Sequence, residues 1–122
     1  MQLQNLFFKN LMRKYYQIVM GVYFLKEIQK IIFENKIKKG FNIENVELEF
    51  CLIQGELAEA FDAYRKKLPT LGEELADVAI YLYGLSEILK VDLNEEIRKK
   101  VLKNQNREYK NVNGVNIKLS KE

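Results

Sequence analysis

The sequence has no histidine, no tryptophan, one cysteine and one proline. Without histidine there is no Ser-His-Asp or Cys-His catalysis, no His-ligated zinc and no Glu-x-x-His di-iron motif. One cysteine makes neither an intrachain disulfide nor a thiolate zinc site. Any metal here therefore has oxygen ligands, which favours Mg²⁺, Mn²⁺ or Ca²⁺. Six glycines and one proline are too few for the many turns of a β-sandwich or barrel. No apolar run reaches the roughly 18 residues of a transmembrane helix. The nearest, Tyr15 to Leu25, is interrupted by Gln17. Lys9, Arg13 and Lys14 precede it as in a signal peptide, but Lys26, Glu27 and Ile28 follow where a small-residue cleavage site belongs. The expectation is a cytoplasmic protein that stays off membranes.

What is present suits one soluble domain of 122 residues, 48% apolar and 30% charged. The net charge of +3 hides a segregation. Residues 1–45 carry eight Lys/Arg against three acids, residues 46–97 four against twelve, and residues 98–122 eight against two. An acidic centre between basic ends suits cation binding beside polyanion binding, although helical surfaces also vary in sign without a ligand.

Helical spacing dominates the chain. Leu3, Phe7, Leu11, Tyr15, Ile18 and Val22 form one stripe, with Gly21 a point of break or kink. A second stretch runs from Phe24 to Lys38 and stops at Gly40. After a loop, a helix from Val46 to Lys67 ends before Pro69. Thr70 with Glu73 has capping-box spacing and opens a helix to Leu89. Asp92 or Asn94 caps a last helix to Arg107. Val112-Asn113-Gly114-Val115 then reads equally as the turn of a small hairpin or as a frayed tail. The fold class expected is an all-α bundle of four to five helices. It divides into an extra N-terminal helix (1–22), a main domain (23–110) and a C-terminal tail or hairpin (111–122). Cys51, between Phe50 and Leu52, reads as a small core residue.

Two carboxylate pairs stand out. Glu56 and Glu59 are three apart on one helix, and Glu74 and Asp77 three apart on the next. Each pair shares a helix face, and helices joined by a short loop pack antiparallel, so the pairs can oppose each other. The stretch Leu75 to Leu89 is apolar nearly all round, which predicts burial in a core or between subunits. Buried carboxylates need compensation: a shared divalent cation, or ion pairs with Arg65, Lys66 or Lys67. Asp62 extends the row as an outer ligand, a base or a solvated side chain. Lys100, Asn104 and Arg107, at i, i+4, i+7, form a stripe able to hold phosphate oxygens and a base or sugar edge, or simply a solvated basic face.

Glu56-Leu-Ala-Glu59, fourteen residues, then Glu74-Leu-Ala-Asp77 resembles the ExxE…ExxD signature of the MazG-like, all-α nucleoside triphosphate pyrophosphohydrolases. The flanks GELAEAFDAYRK, LGEELADVAIYLYGL and KKVLKNQNREYK extend the likeness over Phe24 to Lys110, and residues 1–22 have no counterpart in it. The resemblance implies cleavage of nucleoside triphosphates between the α- and β-phosphates. It implies Mg²⁺, or Mn²⁺ in its place, on Glu56, Glu59, Glu74 and Asp77, and nucleotide contacts from Lys100, Asn104 and Arg107. Glu59 is the candidate base for the attacking water. A homodimer or homotetramer is expected from the apolarity of residues 75–89. The alternative is a non-catalytic helical interaction or regulatory dimer of the same fold. Nucleic-acid binding through the basic ends ranks last, because no recognition motif accompanies them.

Overall fold

A computed structural model describes residues 2–119 of the chain. Its order is α1 (Gln2–Lys38), α2 (Val46–Arg65), α3 (Leu71–Ile88), α4 (Leu93–Gln105), β1 (Glu108–Val112) and β2 (Val115–Leu119). Among the described residues the fold is four helices with one two-stranded antiparallel hairpin, which roughly fits the helical bundle expected. Two compact units are present, one ending at Val91 and one beginning at Asp92.

The first unit is built on α3, which packs against both α1 and α2. Helix α1 runs unbroken through Gly21, where a break or kink was expected, and no helix boundary lies at residues 22–23. One glycine costs a helix only about 1 kcal/mol, and no proline interrupts this stretch. Three successive helices end alike. The residue after the C-cap takes a left-handed conformation, and the last carbonyls are closed by paired backbone bonds. At Gly40 (φ 72°) these are Gly40 N to Ile37 O and Phe41 N to Lys36 O, both 3.0 Å. Lys67 (φ 55°) and Lys90 (φ 59°) occupy the equivalent places, with Leu68 N to Ala63 O and Val91 N to Ser86 O, both 2.9 Å.

Helix starts differ from one another. Asn45 caps α2 by accepting from Leu48 N at 2.9 Å, and Asp92 caps α4 by accepting from Glu95 N at 3.1 Å. Thr70 precedes α3 in a helical conformation with no side-chain cap bond, so the expected capping box is not formed; its backbone carbonyl accepts from Glu74 N instead.

The buried apolar core consists of small residues and one leucine: Ala60 and Ala63 of α2 and Leu85 of α3. Small side chains let the two backbones approach. The expected all-round burial of residues 75–89 is not found within the chain. Only Gly84, Leu85 and Ser86 are buried there, and Leu75, Ile80, Leu82 and Leu89 are each more than 40% exposed. Cys51 is likewise exposed and not in the core.

Polar clamps tie the first unit together. Glu49 of α2 has no exposure at all. Its Oε1 accepts from Lys36 Nζ at 2.7 Å and from Asn42 Nδ2 at 2.9 Å, while its Oε2 has no partner. Gln29 of α1 donates to Glu87 Oε2 at 2.7 Å and to the Val91 carbonyl at 2.8 Å. In the second unit, β1 and β2 pair from Glu108↔Leu119 to Val112↔Val115. Asn113 (φ 52°) and Gly114 (φ 81°) both take positive φ, as a tight hairpin turn requires. The hairpin alternative for the C-terminal segment is therefore the one observed.

Candidate metal and anion sites

Helices α2 and α3 are joined by residues 66–70, short enough to return the chain antiparallel. This brings oxygens of Glu56, Glu59 and Glu74 within 4.8 Å of one another. Asp77, the fourth acid of the sequence pattern, lies outside that trio but close enough to act electrostatically on Glu56. The surroundings are wetter than the dry crevice expected: Glu59 is exposed, and Glu56, Glu74 and Asp77 are half-buried.

The acids are divided between two clefts. Glu59 and Glu74 line one of about 690 Å³, with Phe61, Asp62 and Arg65. Glu56 and Asp77 line another of about 530 Å³, whose walls include Ile31, Lys36, Phe41 and Tyr81. Burial pushes the Glu56 carboxyl above its ordinary value, and the charges of Glu59, Asp77 and Glu74 push the same way. A hydrogen bond from the Tyr81 hydroxyl partly offsets this. Burial, then the charge of Glu56, holds the Tyr81 phenol above its own ordinary value, so it remains a donor.

Ion pairing does not explain the cluster. Among the described residues, no Lys or Arg nitrogen lies within ion-pair distance of Glu56, Glu59, Glu74 or Asp77. Arg65 and Lys66, the expected competitors, are taken by Asp62: Arg65 Nη2 lies 2.5 Å from Oδ1, and Lys66 Nζ bonds Oδ2. Those two bonds hold the Asp62 carboxyl below its ordinary value, and neither an outer-ligand role nor a free base role fits it. Hard oxygen donors from two helices, without counter-ions, make a set that a divalent cation fits.

The basic stripe is only partly assembled. Lys100 and Asn104 are exposed on α4, but Arg107 lies beyond the helix end, so the three do not share one helical face. The structure brings two of them together: Arg107 Nη1 donates to Asn104 Oδ1 at 2.9 Å. Arg107 Nε is buried without a partner, and its residue lines a cleft of about 240 Å³ with Lys103 and Lys118. All of these belong to the second unit, and the four acids to the first.

Comparison of the chain with protein-family models, with curated proteins and with solved structures gives no match.

Sequence reasoning missed the Lys36–Glu49 pair and its neighbour Tyr81. Lys36 Nζ lies 5.5 Å from the Tyr81 ring centre, so a buried ion pair stands directly behind the residue that bonds Glu56. A signal was available. Lys36 falls four residues after Ile32, and Glu49 three before Leu52, so both charges sit on inward apolar faces.

Proposed function

We propose that the carboxylates of α2 and α3 form the centre of a Mg²⁺-dependent nucleoside triphosphate pyrophosphohydrolase, giving a (deoxy)nucleoside monophosphate and pyrophosphate. One observation carries this reading: three carboxylates from two helices converge within 4.8 Å with no cationic side chain on them. The ExxE…ExxD resemblance supplies the reaction class.

In this reading Glu56, Glu59, Glu74 and Asp77 hold Mg²⁺, with Mn²⁺ as a substitute. Bound there, the ion would neutralise the carboxylates and supply positive charge to the triphosphate oxygens. Glu59, the exposed member, accepts the proton of the water that attacks the α-phosphorus; the Pα–O–Pβ bond breaks and pyrophosphate leaves. Tyr81 holds the Glu56 carboxylate by its hydroxyl. The resemblance assigns nucleotide contacts to Lys100, Asn104 and Arg107, and within the second unit Asn104 orients the Arg107 guanidinium. The protein acts in the cytoplasm as a homodimer or homotetramer, which covers the exposed leucines of α3.

Purified chain incubated with a panel of ribo- and deoxyribonucleoside triphosphates and Mg²⁺ tests the reading by pyrophosphate release. Release that stops with chelator is expected. No release from any nucleotide by folded, Mg²⁺-binding protein defeats the enzyme. The position of Asp77 outside the trio favours a second reading, a non-catalytic helical interaction module. Calorimetry separates the two, because a pure scaffold takes up no Mg²⁺.

A further inference from the structure

We propose that the N-terminal part of α1, from Leu6 to Phe24, is a self-association surface whose occupant is the same arm of a second copy, laid antiparallel. This goes beyond the carboxylate chemistry and does not depend on it.

The argument starts from length. Helix α1 has 37 residues and α3, which it packs against, has 18. At about 1.5 Å per residue the first is roughly 55 Å long and the second roughly 27 Å. The C-terminal part of α1 meets α3 through Gln29 and Lys36, and much of the remainder overhangs. Every side chain from Gln4 to Lys26 is exposed. Thirteen of those from Leu6 to Phe24 are large and apolar, from 44% exposure at Val19 to 71% at Phe7. An isolated helix gains little from its own hydrogen bonds in water and relies on tertiary packing. An apolar arm this long therefore needs a cover that the described residues do not provide.

Spacing says what kind of cover fits. Phe8, Leu11, Tyr15, Ile18 and Val22 follow alternating steps of three and four, the seam of paired helices. The same steps continue to Gln29, Ile32 and Lys36, the stripe that already packs inside the chain. The seam is also its own complement when reversed. Antiparallel pairing about the point between Tyr16 and Gln17 sets Leu11 against Val22 and Tyr15 against Ile18. Charge selects this direction. Lys9, Arg13 and Lys14 would face their own copies in a parallel pair, with no acid before Glu27. Reversal moves the cluster centres roughly 13 Å apart along the axis, leaves Lys14 and its copy about 7–8 Å apart, and sets Lys9 opposite Phe24, close to Glu27 as well as Lys26 of the second copy.

The area is sufficient. At roughly 100 Å² of exposed apolar surface each, thirteen such residues present on the order of 1,300 Å². Burying somewhat over half approaches the roughly 800 Å² per partner of a standard stable interface. A lipid surface fits less well. Large apolar residues point from every side of the arm, whereas an interfacial helix needs one charged face. No helix of the described residues is long and apolar enough to cross a membrane.

The test uses the full chain in sedimentation equilibrium from 1 to 100 µM. Dimers or their multiples are expected. The triple variant Tyr15→Glu, Ile18→Glu, Val22→Glu, all exposed in the single chain, should raise the dissociation constant by at least about 100-fold. Direction is read by cross-linking in a Cys51→Ala background. Oxidised Leu11→Cys chains should cross-link to Val22→Cys chains and not to each other. A chain monomeric at 100 µM overturns the proposal, whether or not it pellets with phosphatidylcholine–phosphatidylglycerol vesicles. So does undiminished association of the triple variant, and efficient Leu11→Cys self-linking overturns the orientation.

Discussion

Replacing Lys36 by Met tests the energetics of the first unit directly. Lys36 and Glu49 pair at 2.7 Å with side-chain exposures of 9% and 0%. Lys36→Met keeps the length of the apolar stem and removes only the cation. Glu49 is then left with one hydrogen bond, from Asn42, and an Oε2 that already has none. A buried charge stripped of its partner costs about 3–5 kcal/mol. For a unit of this size that is a fall in Tm of more than about 10 °C. The reciprocal change, Glu49→Gln, should cost about 2–4 kcal/mol, because it leaves the ammonium unpaired but a carbonyl oxygen in place. Replacing both partners, Lys36→Met with Glu49→Leu, should recover most of the loss, because a well-packed apolar pair avoids the desolvation of two ions. Urea denaturation of the wild type, the single variants and the double variant closes the cycle. A Lys36→Met loss below about 1 kcal/mol, or a double variant as unstable as the sum of the singles, would refute the reasoning.

The carboxylate cluster makes two further predictions. Glu59→Gln or Asp77→Asn should abolish nucleotide turnover and weaken Mg²⁺ binding by at least about 10-fold while raising the metal-free Tm, since each removes a like charge; a variant of unchanged activity, or one whose metal-free Tm falls, contradicts the site. Glu56 binds its proton more tightly in the folded chain than in the unfolded one, so its own contribution to metal-free stability is greatest at low pH. It declines as pH rises through the ordinary carboxylate value of 4.5 toward the raised folded value. Subtracting the Tm profile of Glu56→Gln from that of the wild type, both in chelator, should isolate that decline, and a flat difference would contradict it. Lys67→Gly and Lys90→Gly should each stabilise by about 0.5–1 kcal/mol, because only glycine takes left-handed φ without a Cβ penalty. Thermal denaturation measures this, and a loss of stability in either variant would show that the lysine stem makes compensating contacts.

Local chemistry made much of this protein legible in its sequence. Helical spacing placed α2, α3, α4 and the two stretches that join as α1, Asn113-Gly114 offered a tight turn as one of two readings, Gly40 marked the end of α1, and Asp92 was one of two caps read for α4. These signals depend on a residue and its near neighbours along the chain, so no tertiary knowledge is needed to read them. The same holds for Glu56, Glu59 and Glu74: three-residue spacing puts a pair on one face, and a short connection brings the next helix alongside.

Other features were decided only by the tertiary structure. Thr70 had the right neighbour for a capping box, but the turn after Lys67 delivers it in a helical conformation from which its side chain does not cap. Lys67 and Lys90 end their helices in a conformation that their residue type does not announce. Asp77 has the spacing of a fourth ligand yet falls outside the trio, because spacing along one helix does not set which of its turns meets the neighbouring helix. Arg107 leaves the expected stripe because α4 closes at Gln105. Spacing fixes direction around one helix axis. Which directions are covered depends on where every other helix lies, and that is why a nearly unbroken apolar segment such as 75–89 can be half exposed while Glu49, with a full charge, is wholly buried.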